Sequence, residues 1–138
     1  VSNCSITIDS VSPKVIKENE PFKVTWTVAV DGADDLRNLV VVLLTDDARV
    51  QIVDPATHES PPQRAYPVVP GTRLTRTTVA QLQKRKGLVE EGARETGTAS
   101  MYIHARAQNE RDEIVADGAG IEVQMHGLAR RASPKIIA

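Results

Sequence analysis

From Phe22 to Val30 every second residue is apolar (Phe22, Val24, Trp26, Val28, Val30), with Lys23, Thr25 and Thr27 set between them. A period of two matches the alternation of side chains on a pleated strand, not the helical repeat, so the segment reads as a strand with one buried face. The same alternation returns at Ala99 to Ala107 and at Ile121 to Met125. A chain of 138 residues is the size of a single domain with one core. The constraint is therefore strong on architecture: strands that must bury one face against another sheet.

Turn signals divide the rest. A first strand is expected over Ser5 to Val11, ended by Ser12 and Pro13, and Lys17 to Pro21 leads into the Phe22 strand. Asp31 to Asp35 reads as a turn. Leu39 to Leu44 is a continuous apolar run, which suits a central strand, with Arg49 to Val53 pairing back on it as a hairpin. Asp54 to Pro70 holds five prolines and is expected to be an extended loop along a sheet edge. Leu74 to Leu82 reads first as a strand, because of Thr75, Thr77 and Thr78. The spacing of Val79, Leu82 and Val89 also fits one helical face, so a short helix near 79–91 stands as the second reading. A closing hairpin is expected from Thr98 to Gln108 and from Ile114 to Met125, with Gly118 and Gly120 marking a bulge or a close backbone approach. Residues 1–127 form the expected domain, and 128–138 form a basic tail.

About seven short strands separated by turns fit two packed antiparallel sheets: the expected fold is all-β, a sandwich. The run Phe22-Lys23-Val24-Thr25-Trp26-Thr27-Val28 resembles a second strand, and Ala99–Ala107 with Ile121–Met125 a closing hairpin, of immunoglobulin-like and fibronectin-III-like domains. That resemblance implies a domain of surface or virion proteins, in an extracellular, cell-surface or virion setting. It also implies that the second-to-third strand loop and the closing hairpin loop share one pole. Asp31, Asp34 and Asp35 would then lie near Asn109, Glu110, Asp112 and Glu113.

Loops on a rigid scaffold commonly carry binding, so these seven residues are the candidate partner-binding site, suited to a basic partner. Oxygen ligands so gathered also suit calcium, but no spaced calcium signature is present and no metal is assigned. His58, His104 and His126 have no ligand spacing, and Cys4 has no second cysteine to bridge. No nucleophile elbow or dinucleotide fingerprint occurs, no cofactor is expected, and the chain is read as non-enzymatic. A net charge of −1 argues against nucleic acid as partner. No apolar stretch is long enough for a membrane-spanning helix. Two functions stay open: a recognition or adhesion module with a protein partner, and an assembly protein such as a virion or phage subunit. In the second, Asp54–Pro70 and the termini would be arms laid on neighbouring copies of a homo-oligomer.

Overall fold

A computed structural model describes residues 3–31, 36–47, 49–68, 71, 73–84, 94–109 and 111–129. Among the described residues nine strands are formed: β1 (Asn3–Ser12), β2 (Val15–Lys17), β3 (Pro21–Asp31), β4 (Arg37–Thr45), β5 (Val50–Val53), β6 (Gln63–Tyr66), β7 (Arg73–Lys84), β8 (Arg94–Gln108) and β9 (Ile114–Ala129). They build a four-stranded sheet in the order β1-β3-β7-β5 and a five-stranded sheet in the order β2-β9-β8-β4-β6. Sheet membership follows the two halves of an immunoglobulin-like sandwich, with β6 added at one edge and β2 at the other. The fold is all-β, and no helix occurs among the described residues.

Five expectations are changed or resolved. The strand count rises from about seven to nine because two short segments, β2 and β6, pair at sheet edges. β2 runs parallel to β9, so the sandwich is not wholly antiparallel. Residues 79–84 are strand and not helix: β7 holds the period of two through Ala80 and Leu82, both buried, and pairs with β3 and β5. The remainder of the expected 79–91 helix lies outside the described residues. β5 does not fold back on β4 but crosses to the opposite sheet, pairing Val50–Val53 with Gln81–Lys84. The strand β9 runs to Ala129, beyond Met125, where the last strand was expected to end.

The alternation of β3 sorts its side chains as the sequence requires. Phe22, Val24, Trp26 and Val28 are fully buried, and Ile16, Leu39, Leu43, Leu82, Met101, Ile103 and Met125 close around the same core. Trp26 packs edge-on to Tyr66, ring centroids 5.1 Å apart, and its Nε1–H donates to Thr78 Oγ1 at 2.9 Å. The one polar tip of the largest core side chain is thereby satisfied. On the outer side of the same sheet, Thr25 and Thr27 meet Thr77 and Thr75, hydroxyl to hydroxyl, at 3.1 and 2.8 Å. Such cross-strand threonine pairs are sheet-stabilising contacts of modest size.

Asp47 and Arg49 form the one ion pair held out of water among the described residues. Their side chains are 9% and 10% exposed, respectively. Arg49 donates from Nε to Asp47 Oδ1 at 3.0 Å and from an Nη to Oδ2 at 2.8 Å, and its backbone N–H also donates to Oδ1. This two-pronged geometry locks the β4–β5 crossover that carries the chain from one sheet to the other.

Candidate functional site

Arg37 of β4 pairs with Gln108 of β8, and Asn3 of β1 with Asp31 of β3, so the end of β3, the start of β4 and the β8–β9 hairpin lie toward one end of the sandwich. Asp34, Asp35 and Glu110 lie outside the described residues, and so does the side chain of Asp31. The others are committed locally. Asn109 Oδ1 accepts the backbone N–H groups of Arg111 and Glu113, at 2.9 and 3.0 Å, and so shapes the hairpin turn. The Asp112 carboxylate forms an exposed ion pair with Arg37, which offsets its charge. Glu113 is exposed. No group of three or more metal-ligating side chains is found among the described residues.

Beside this pole the five-stranded sheet turns an unusual face outward. Val40, Val42 and Leu44 of β4 lie on the side away from the core, half-buried by neighbouring strands. Next to them on β8 stand Arg106, His104 and Tyr102, and next to those on β9 stand Ala116, Gly118 and Gly120. The two glycines leave β9 bare here, and a Cβ at Gly120 would sit 3.1 Å from the Tyr102 ring. The expected close backbone approach is thus real, while the expected bulge is absent, because pairing runs unbroken from Gly97–Met125 to Gln108–Ile114.

Four large hydrophobic side chains are exposed among the described residues: Val15, Val79, Tyr102 and Ile114. Tyr102, Ile114 and Val15 belong to the five-stranded sheet, and Ile114, 63% exposed, follows the hairpin directly. A shallow groove of 280 Å³ between Ile114, Arg106, Val40 and Asn38 joins this face to the pole. Sequence reading missed these residues, although the signal was there. Six consecutive apolar residues from Leu39 to Leu44 place apolar groups on both faces of β4, and only one face is covered by the opposite sheet.

The proline-rich segment is not a free arm. Asp54 Oδ1 accepts the N–H groups of Ala56 and Thr57, Ser60 Oγ donates to Ile52 O at 2.7 Å, and Gln63–Tyr66 pair with β4. Residues 54–66 are therefore laid on their own sandwich. Below them lies a second cleft, of 530 Å³, between β6 and β7.

Cys4 is buried between β1 and β9, where its thiol points at Val115 O, 3.8 Å away. Burial, and then the nearby Asp117 carboxylate, push the thiol upward from its ordinary value of 9.0. Burial likewise raises Tyr66 from 10.0, against the opposing pull of Arg64 and Arg76. Both groups hold their protons more tightly folded than unfolded, so their contribution is complete below the unfolded values and falls away as pH rises through the folded ones. The urea midpoint is accordingly expected to hold from pH 6 to 8 and to drop above about pH 9, the Cys4→Ala variant losing the earlier part of that drop. An unchanged midpoint at pH 10 would contradict the assignment.

The arrangement defines a class: an immunoglobulin-like β-sandwich whose five-stranded sheet presents apolar side chains on its outer face. No protein-family model matches the chain, and no curated protein is significantly similar to it. Among solved structures, Pseudomonas fluorescens alkylpurine DNA glycosylase AlkC, bound to DNA containing an abasic-site analogue, is similar at a TM-score of 0.53 and 14% identity, over 90% of this chain. The matched part is 30% of the glycosylase, so this chain spans less than a third of that protein. The cohesin module of a Clostridium perfringens family 33 glycoside hydrolase is similar at 0.46 and 10% identity, covering 91% of this chain and 97% of that one. A type I cohesin–dockerin complex of Clostridium thermocellum gives 0.45 and 6%, covering 90% and 94%. At such identities the likeness is one of fold.

Proposed function

We propose that this domain is a non-catalytic protein-recognition module that docks a partner on the outer face of its five-stranded sheet. The observation that carries the reading is the apolar character of a face no part of the chain covers among the described residues: Val40, Val42, Leu44, Tyr102 and Ile114, next to two bare glycines. A solvated sheet face favours polar residues in the outward phase, as β3 illustrates with Lys23, Thr25 and Thr27. Apolar side chains in a protein-contact patch form its desolvated centre, and polar groups its rim. Among the described residues the rim includes Asn109, Asp112 and Glu113 of the hairpin, joined to the face through Ile114. The net charge of −1 supports a protein rather than a nucleic-acid partner. The same reading carries an extracellular or surface setting with it.

The test is capture of binding proteins from the source organism, with the wild-type domain and with Ile114→Asp and Val42→Lys. Ile114 is exposed and Val42 only half-buried, so both variants are expected to fold. Loss of about tenfold or more in captured partner is expected, as for a contact at the centre of an interface. Equal capture by both variants would overturn the reading. Light scattering on the pure domain separates the assembly alternative, which requires a concentration-dependent oligomer that the same substitutions dissolve.

A further inference from the structure

The four-stranded sheet closes its edges unequally. On the β1 side the Ile6 N–H donates to Asp117 Oδ2 at 2.9 Å, an inward-facing carboxylate that occupies the edge. On the opposite side β5 covers only residues 81–84 of β7. The chain turns away immediately after β5, because Asp54 Oδ1 holds Ala56 and Thr57 in a tight turn closed by His58 N–H donating to Asp54 O at 2.8 Å. Residues Leu74–Ala80 are left with β3 on one side and no strand on the other among the described residues.

The hydrogen-bonding phase of this edge follows from three contacts. Asn19 N–H donates to Leu82 O on the β3 side, so even-numbered residues of β7 turn their backbone groups toward β3. The close hydroxyl pairs Thr27–Thr75 and Thr25–Thr77 mark these as non-hydrogen-bonded positions of the β3–β7 ladder. The Arg76 guanidinium reaches round to Thr75 O at 2.8 Å, which requires that carbonyl to face away from β3. Thr75, Thr77 and Val79 therefore aim their N–H and C=O groups outward, in line with those of Gln81 and Gln83 that pair with β5. The stretch is ~23 Å long at ~3.3 Å per residue. Its outward side chains are exposed, and Val79 is the exposed large hydrophobic of this sheet. Beside it opens the 530 Å³ cleft, lined by Thr77, Thr78 and Val79 of β7 together with Tyr66, Pro62 and Val41.

We propose that the edge of β7 from Leu74 to Ala80 accepts an extended strand of a partner protein, collinear with β5, whose alternate side chains enter the cleft over Tyr66 and Pro62. Backbone groups supply the affinity and alternate side chains the specificity, as in strand addition generally. The chemistry selects an uncharged segment: aliphatic side chains inward, over the apolar wall, and small hydroxyl or aliphatic ones outward, beside Thr75, Thr77 and Val79. This site is independent of the docking face of the five-stranded sheet and stands or falls separately.

Amide hydrogen exchange read by NMR tests it, with a short capped peptide of alternating Thr and Val and a Lys at each end as the probe. In the free protein the amides of Thr75, Thr77 and Val79 are expected to exchange at least about tenfold faster than those of Arg76, Thr78 and Ala80, and saturating peptide should slow the first set by a similar factor. Thr77→Pro deletes one outward N–H while sparing the β3 ladder, and it is expected to weaken peptide binding by about tenfold. Val79→Lys leaves the backbone intact and should weaken it similarly, which keeps the test sharp if the proline disturbs the strand. The proposal is overturned if the peptide slows none of the three amides, if it slows only those around Tyr102, or if both variants bind as well as wild type. A peptide-free dimer that protects the same amides would assign the edge to a second copy and overturn it equally.

Discussion

Trp26→Ala is expected to cost about 3–5 kcal/mol of folding stability, the range for truncating a large aromatic side chain in a core. Trp26 is fully buried, so the substitution removes apolar surface and leaves a cavity. It also removes the edge-on contact with Tyr66 and strands the Thr78 hydroxyl that accepts from the indole N–H. Chemical denaturation with Thr25→Ala as a reference separates these losses from a general effect on β3. Thr25 is one residue away and faces outward, so its loss should stay within about 1 kcal/mol, the scale of a cross-strand pair. Equal costs for the two would mean that the faces of β3 are wrongly assigned. A total of about 5–15 kcal/mol is typical for a domain, so the tryptophan alone can decide whether this chain is folded at 37 °C.

Asp47→Ala is expected to destabilise by about 3–5 kcal/mol, because Arg49 is then left as a charge with little access to water. Arg49→Ala should cost a comparable amount for the mirror-image reason. Replacing both together, by Leu and Met, is expected to cost much less than the sum. The pair's own attraction is largely offset by desolvation, and the damage in each single variant comes from the buried charge whose ion-pair contact has been removed. The check is a double-mutant cycle on urea midpoints. If the double variant is as unstable as the two single losses added together, the pair is not acting as a coupled buried unit. The site also explains a failed expectation: a hairpin of β4 and β5 would place Asp47 and Arg49 in an ordinary exposed turn, whereas the crossover between sheets encloses them.

Much of the sandwich was legible in single residues. Phe22, Val24, Trp26 and Val28 face the core and Lys23 and Thr25 face out, because a strand's side-chain period makes that sorting compulsory. The hairpin from β8 to β9 was legible because its alternation is clean on both arms and Asn109 supplies the turn. β2 and β6 were not legible: each is only three or four residues long, and β6 sits between prolines that read as a loop. The helix considered at 79–91 arose because Val79, Leu82 and Val89 also satisfy a helical period. Pairing with β3 as far as Gln81 and with β5 over residues 81–84 decides that part of the ambiguity. At the candidate site, topology could not foresee that Asn109 is consumed in its own turn or that Arg37 is paired with Asp112.

By itself the sequence determined that the strands bury one face each, which residues make the core, and that the sheets must pack as a sandwich. Periodicity records burial, and burial is written into side chains. Only the tertiary structure decided which strand lies beside which: β5 on β7 and not on β4, β2 parallel to β9, and β7 with half of one edge unpaired among the described residues. Backbone hydrogen-bonding groups are the same at nearly every residue, so an edge carries almost no mark of whether it is paired. For the same reason the apolar outer phase of β4 could be recognised as a surface only once the opposite sheet was seen to cover the other face.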